Sequence, residues 1–286
     1  MLALGFGLTA ALLWAVHDLL ARKLSPGAAL LPIIVLVLGA GTLGLLPVAL
    51  AMGGWAKMTG PAWSVAALSG LAFAVAISGL YKAFSLAPVR VVSPVVGAYP
   101  LLTLLIAVAQ GRPVPPGDWL AVLAIVIGIA IVAVAARDDA PEGYAASPGV
   151  AIAWAGLSAL GFAVTFALAQ TATRIGSELP VMLTGRVVAL LAIAALMLRH
   201  AKPRLPPRGQ VGALILMGLL DALALGLVTA AGGLARAEYA SVASSLFGVL
   251  TVLLAAWLLK EHVRPVQWLG IACVFGGIGV LGVLGT

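Results

Sequence analysis

The sequence Ala-Leu-Leu-Trp-Ala-Val at residues 11–16 returns as Ala-Leu-Gly-Phe-Ala-Val at residues 159–164, which is 148 positions later. The same offset places Leu-Ser-Gly-Leu at residues 68–71 over Leu-Met-Gly-Leu at residues 216–219. Each short match is weak by itself in a chain rich in alanine and leucine. Because the matches keep one order and one offset, they predict an internal duplication.

The duplication continues toward the end of each half. After a slip of one residue, Pro-Gly-Asp-Trp at residues 116–119 aligns with Pro-Val-Gln-Trp at residues 265–268. We therefore predict two repeats, over residues 1–140 and 146–286.

The composition indicates that the chain is a membrane protein. Of the 286 residues, 63% are hydrophobic and 9% are charged, and a soluble core does not need so much apolar surface. An α-helix needs about 20 apolar residues to cross a bilayer, and continuous apolar runs favour helices over a barrel. The predicted fold class is an all-α membrane protein. It has ten transmembrane helices near residues 2–21, 28–51, 62–85, 90–109, 119–136, 149–170, 180–198, 210–231, 239–258 and 266–285.

The number of spans in each repeat decides how the repeats are related. Five is odd, so the second repeat enters the membrane upside down relative to the first. Inverted repeats allow one closed shape to convert into its mirror image, which is the basis of alternating access in transporters. The alternative is a duplicated membrane protein that does not transport. We expect the first span to be retained, since it is too long for a signal peptide.

Charge, cysteine content and motifs exclude other functions. The net charge of +7 comes from basic residues at the ends of apolar runs, so it indicates lipid headgroups rather than nucleic acid. The lone Cys273 excludes an intramolecular disulfide. The sequence has no Walker phosphate loop, no His/Cys metal cluster and no Gly-x-Ser-x-Gly elbow. We expect no enzymatic activity, no catalytic residue, no metal and no cofactor.

Ionisable side chains within spans are the first candidates for a binding site, because a charge near the bilayer centre costs several kcal/mol unless it is paired or hydrated. Asp221 lies midway along span eight. It is either a proton-responsive or substrate-contacting carboxylate, or a structural partner of another helix. Arg186, in span seven, is a candidate partner for it, although its side chain could instead reach the membrane surface.

Span one carries Trp14, His17 and Asp18, which could form a polar and aromatic stripe facing a cavity. His17 could titrate near neutral pH. Asp18 precedes Arg22 by four residues, a spacing that predicts an ion pair at the membrane edge.

Span four contains Pro94, Gly97 and Pro100, which interrupt the helix and predict either a broken helix of the kind that forms binding sites in transporters or an ordinary proline kink of a membrane helix. Tyr99 lies beside the break and aligns with Phe247 of the second repeat. That residue follows Ser241, Ser244 and Ser245 instead of prolines, so we expect the two halves to differ at the site.

Two further patterns concern helix faces. Phe162, Phe166 and Gln170 recur at four-residue steps in span six, which predicts either core packing or an aromatic wall for an apolar or cationic molecule. In span ten, glycine recurs every three residues, which favours close packing within the bundle or, less often, a dimer face. These glycines are Gly276, Gly279, Gly282 and Gly285.

Essentially the whole chain resembles one family of membrane transporters. The Leu-Leu-Trp-Ala start of span one at residues 12–15, and the Leu-Leu-Lys-Glu-His turn at residues 258–262 before Trp268 and Gly270, resemble the EamA-like branch of the drug/metabolite transporter superfamily. The family usually has Leu-Gly-Glu-Arg at this turn. Residues 110–112 in the first half lack its acidic residue.

The resemblance implies a central cavity lined by spans one, three, four, six, eight and nine, with spans five and ten at the periphery. It makes Tyr81, near the end of span three, a further contact candidate. It implies that both termini lie in the cytoplasm, whereas the basic residues of the loops predict that both face outward.

We therefore expect a secondary transporter of a small organic metabolite, with export of an amino acid or related compound as the leading class. Coupling to protons or exchange is open, and the alternatives are a lipid-linked carrier or flippase and a non-transporting membrane subunit. The expected partners are the small-molecule substrate and membrane lipid, in a monomer or homodimer of the bacterial inner (plasma) membrane. The candidate substrate-binding residues are Trp14, His17, Asp18, Tyr81, Tyr99, Phe162, Phe166 and Asp221.

Overall fold

The computed structural model describes residues 2–109, 116–137, 148–199, 205–231, 244 and 246–284. All regular secondary structure within these ranges is helical, which confirms the predicted all-α fold. The α-helices are α1 (Leu2–Leu24), α2 (Leu30–Met52), α3 (Gly60–Leu86), α4 (Val89–Gly97), α5 (Tyr99–Ala109), α6 (Pro116–Arg137), α7 (Pro148–Arg174), α8 (Glu178–Arg199), α9 (Arg208–Ala231), α10 (Phe247–Leu258) and α11 (Pro265–Leu284).

Five of these helices, α2, α3, α7, α8 and α9, are long and apolar enough to cross a membrane. Shorter apolar stretches occur in α6, α10 and α11. Local signals set the helix ends, as at α3, where the Thr59 hydroxyl accepts a hydrogen bond from the Ala62 amide and Pro61 occupies the first turn.

The predicted break in span four is present at Ala98, which separates α4 from α5. Pro100 has no amide hydrogen to continue the helical ladder, and Gly97 ends α4. For span nine, the structure describes Ser244 and the residues from Leu246 onward. The predicted polar positions Ser241 and Ser245 lie outside the described residues, as does the 110–112 turn of the first half.

The contacts between helices occur in matching pairs: when each helix is replaced by its equivalent in the other repeat, one contact becomes another that is also present. The contact of α3 with α7 has its counterpart in α9 with α1, and that of α2 with α9 has its counterpart in α8 with α3. The contact of α1 with α10 likewise corresponds to that of α7 with α4 and α5. The remaining large interfaces, α2 with α8 and α6 with α11, join equivalent helices of the two repeats.

Gly70 and Gly218, which the sequence places over each other, occupy equivalent helix crossings. A Cβ atom at Gly70 would overlap the Gly185 carbonyl of α8, and one at Gly218 would overlap the Val37 carbonyl of α2. These two neighbours are themselves 148 residues apart. The repeated glycine therefore exists to let two pairs of helices approach closely.

The α6–α11 pair carries the one-residue slip that the sequence predicts. Gly128 packs against Gly270, and Gly277 packs against Ala121. Gly128 is equivalent to Gly277, and Ala121 is equivalent to Gly270, because each of these two pairs of positions differs by 149 residues. Each of these two helices contacts the other much more extensively than it contacts any other helix of the bundle. This is expected for peripheral spans.

The three-residue glycine pattern of α11 does not form the packing surface that we expected within the bundle. A Cβ atom at Gly276 or Gly279 would meet nothing within 4 Å, and Gly285 lies outside the described residues. An α-helix has 3.6 residues per turn, so residues spaced three apart shift gradually around the helix instead of staying on one face. The face of α11 that packs against α6 carries Gly270 and Gly277.

Candidate functional site

Asp221 joins three helices at the centre of the site. Its Oδ2 atom forms an ion pair with Nη1 of Arg186 from α8 at 2.7 Å, and the Trp14 indole of α1 donates a hydrogen bond to Oδ1 at 3.0 Å. The predicted pairing of Arg186 with Asp221 is confirmed. Arg186 is 2% exposed and Asp221 15% exposed at the side chain, so the carboxylate forms the accessible edge of the pair.

His17, Asp18 and Tyr81 form a second polar group, and all three are buried. His17 Nδ1 lies 3.0 Å from Asp18 Oδ1, and the Tyr81 hydroxyl lies 3.3 Å from His17 Nε2. A carboxylate accepts hydrogen bonds, so Nδ1 donates to Asp18, and when the ring is neutral Nε2 accepts from the Tyr81 hydroxyl. His17 also interacts electrostatically with Asp221 and Arg186, so the two polar groups belong to the same region of the bundle.

The expected ion pair between Asp18 and Arg22 is not present. Asp18 contacts His17, whereas Arg22 Nε lies 3.3 Å from Oε1 of Glu261 in the turn after α10. Spacing along α1 permits the first pair, but packing of the helix end against this turn offers Arg22 a partly buried carboxylate.

A row of aromatic side chains from both repeats extends the site. Tyr99 and Phe166 have ring centroids 5.2 Å apart, and the Phe162 and Phe166 rings stack at 6.2 Å. Phe162 also contacts Phe73 at 6.2 Å. The third member of the predicted stripe, Gln170, is exposed, so the stripe ends at Phe166.

Phe73 links the aromatic row to the charged pair, because the Arg186 guanidinium lies 5.9 Å from its ring centroid. Phe73 is not among the site residues predicted from the sequence. The repeat could have identified it, since Phe73 lies 148 residues before Asp221, as Trp14 does before Phe162.

The contact between Trp14 and Asp221 joins the two repeats, and the same offset relates it to a second contact between the repeats, that of Phe162 with Phe73. One copy is a hydrogen bond to a carboxylate, and the other is a pair of phenyl rings. By the same offset, Asp18 corresponds to Phe166. The site therefore has a charged side and an aromatic side at equivalent places in the fold.

We expect Trp14→Phe to lower the free energy of unfolding by about 1 kcal/mol, because Asp221 loses a donor while the ring contact with Phe247 is kept. Denaturation in mixed detergent micelles measures this change. Trp257→Phe is the matched control, since Trp257 is 76% exposed. Equal effects of the two substitutions would contradict a stabilising role for the indole hydrogen bond.

A cluster at one end of the bundle holds four helix termini together. Glu261 Oε1 accepts from Arg22 at the end of α1 and from the Val89 amide at the start of α4, both at 3.3 Å. Arg22 also donates to the Phe84 carbonyl near the end of α3 at 3.5 Å. Lys260 has a φ of 54°, and this left-handed residue turns the chain after α10 so that Glu261 reaches the other helices.

Lys260→Gly should stabilise the protein by about 1 kcal/mol, because glycine adopts the left-handed conformation without the clash of a Cβ atom. The Lys260 side chain is exposed, so little packing is lost. The midpoint of thermal unfolding in detergent measures the gain. His262→Gly, also at an exposed position, is the control and should destabilise; a gain from both substitutions would contradict the conformational explanation.

No group of three or more metal-ligating side chains comes together in the part of the chain that the structure describes. Comparison with known proteins gives the family. The chain matches the EamA-like transporter family over residues 1–134 and again over residues 149–283. It is similar to a solved structure titled "Crystal structure of protein", with a TM-score of 0.65 and 21% identity over 99% of this chain and 96% of that chain.

No curated protein matches the chain. The likeness to the solved structure shows a shared fold, whereas the two family matches together span nearly all of the sequence. The chain belongs to the EamA-like transporter family of the drug/metabolite transporter superfamily and is an integral, multi-pass membrane protein.

Proposed function

We propose that the protein is a secondary active transporter that exports an amino acid or a related small metabolite by alternating access, across the inner membrane of a bacterium. The family supports membrane transport. The observation that carries the proposal further is the ion pair between Arg186 and Asp221. It lies inside a bundle in which the two repeats make matching helix contacts. Charges are retained inside membrane helices where they bind solutes or ions.

The two sides of the site suit different parts of one molecule. The ionisable side contains Asp221, Arg186 and the His17–Asp18 pair, which can meet charged groups of a solute. The aromatic side, formed by Phe73, Phe162, Phe166 and Tyr99, can contact its apolar body. A solute without mirror symmetry needs such unequal walls, although the helices around it are equivalent.

The matching helix contacts of the two repeats support alternating access. Each large contact of one repeat has a counterpart in the other, so an arrangement closed at one end has a mirror arrangement closed at the opposite end. The Glu261 cluster joins α1, α3, α4 and the α10–α11 turn at one end. The sequence of residues 110–112 lacks the corresponding acid, and opening the end that holds Glu261 requires breaking this cluster.

Flux in reconstituted vesicles tests the proposal. Purified protein is placed in proteoliposomes and offered labelled amino acids, amines and sugars with and without an imposed pH gradient. Saturable flux of a soluble solute supports transport, and stimulation by the gradient supports proton coupling. Translocation of labelled lipid headgroups without solute flux would favour a flippase, and neither activity would favour a non-transporting subunit.

The same vesicles test the role of Asp221 in coupling. If Asp221 carries the coupling proton, Asp221→Asn removes the pH dependence of flux. If the pH dependence is unchanged, Asp221 has no such role, and the His17–Asp18 pair becomes the next position to substitute. Reporters fused to each terminus assign the orientation, and crosslinking in native membrane separates a monomer from a homodimer.

A further inference from the structure

We propose that Arg186 is the anion-binding residue of the transport site and that it takes the carboxylate of the solute in exchange for Asp221. This inference rests on the proposed transport function and names the chemical class of the solute. It is a monocarboxylate with an apolar or aromatic body.

Arg186 is a buried cation with few partners. Its side chain is 2% exposed, yet Nε and Nη2 have no hydrogen-bond acceptor among the residues that the structure describes. Nη1 lies 2.7 Å from Asp221 Oδ2, its partner in the ion pair. A guanidinium has five N–H donors, and buried donors without acceptors are unfavourable. A solute carboxylate that takes the place of Asp221 would offer these donors two acceptor oxygens.

The surroundings of the guanidinium restrict where that acceptor approaches. On one side the Nη2 atom packs against Gly41 of α2, where even a Cβ atom would overlap it. The Phe73 ring lies 5.9 Å from the guanidinium carbon. The neighbours that retain exposed surface are Asp221, Trp14 and Phe73. A solute therefore approaches Arg186 from the side of Asp221 and competes with that carboxylate.

Charge favours a carboxylate over a phosphate. Asp221 and Asp18 both lie near the site, so a dianion would be repelled by two carboxylates, whereas a monoanion replaces one negative partner of Arg186 by another. A carboxylate also matches the planar fork of a guanidinium with two parallel hydrogen bonds. Once displaced, Asp221 can contact an ammonium group if the solute has one. The row from Phe73 to Phe162 then lies beside the apolar body.

Thermal-shift titration of the purified full chain tests the proposal, because a ligand stabilises the state that it binds. The probes are 3-phenylpropanoate, its neutral amide and 2-phenylethylamine. In the unsubstituted protein, the carboxylate should raise the unfolding midpoint and the amide should not. In Asp221→Asn the carboxylate should bind about tenfold more tightly, because its competitor is gone. Arg186→Gln combined with Asp221→Asn should abolish the preference for carboxylate over amide.

Arg174→Gln is the matched control, since Arg174 is an exposed arginine at the end of α7, and it should keep the preference. If the double variant does not yield folded protein, Arg186→Lys in the Asp221→Asn background replaces it. Lysine keeps the charge but loses the two-pronged geometry, so the carboxylate preference should fall about tenfold. An unchanged preference in either variant, or no carboxylate preference in the unsubstituted protein, overturns the proposal.

This assay measures binding and not flux, so the two proposals fail separately. Flux of soluble solutes without carboxylate preference would retain the transporter and remove the anion site. Carboxylate preference that depends on Arg186, in vesicles that show no flux of any solute, would retain the anion site and remove the transporter.

Discussion

Asp221→Ala lowers the free energy of unfolding by about 3–5 kcal/mol, because it leaves Arg186 as a buried cation without a countercharge. The loss is large since Arg186 is almost fully buried and its other guanidinium nitrogens have no acceptor among the described residues that could compensate. Trp14 would also lose the acceptor of its indole hydrogen bond. We expect a low yield of folded protein and a strongly reduced unfolding midpoint in detergent.

Removing both charges should recover most of this loss. Arg186→Met combined with Asp221→Ala leaves no buried charge, and buried ion pairs are often replaced by apolar residues at little cost. The double variant should therefore be more stable than Asp221→Ala alone, although it carries an additional substitution. A double variant as unstable as Asp221→Ala would mean that Asp221 stabilises the fold by some means other than pairing with Arg186.

Gly218→Ala should lower the free energy of unfolding by up to about 3 kcal/mol. The new methyl group would overlap the Val37 carbonyl of α2, and because that group is backbone, the two helices must separate. Gly70→Ala should have a similar effect at the equivalent crossing with Gly185. Chemical denaturation of each variant in mixed micelles measures both changes.

Gly212→Ala is the matched control in the same helix, because a Cβ atom there meets nothing within 4 Å. It should leave stability unchanged or raise it by up to about 1 kcal/mol, since alanine is the better helix former. If Gly212→Ala and Gly218→Ala have the same effect, helix propensity rather than the close crossing explains the result.

Several contacts of the site could be predicted from the sequence. The pairing of Arg186 with Asp221 follows from the rule that a charge inside the membrane needs a partner. The break beside Tyr99 follows from Pro94, Gly97 and Pro100, because proline and glycine act on the local backbone. The assignment of the eight candidate residues to substrate binding stays a prediction, although the structure places all of them in two neighbouring networks.

Other contacts could not be predicted from the sequence. Asp18 has Arg22 at helical spacing and yet pairs with His17, while Arg22 pairs with Glu261, which is 239 residues away. Phe73 joins the aromatic row to Arg186 from a stretch of α3, residues 70–77, that has no polar side chain. Spacing along one helix shows which partners are within reach, but the choice among them depends on which other helices pack against that face.

By itself, the sequence determined that the protein is a membrane bundle of two inverted repeats, because bilayer thickness fixes the length of apolar runs and the 148-residue offset reveals the duplication. The glycine repeated at positions 70 and 218 marks two close helix crossings, whereas Gly276 and Gly279 mark none. Only the tertiary structure decided which side chains meet inside the bundle. Helix rotation and depth arise from packing between distant segments, and these bring charged side chains and aromatic rings from both repeats into one site.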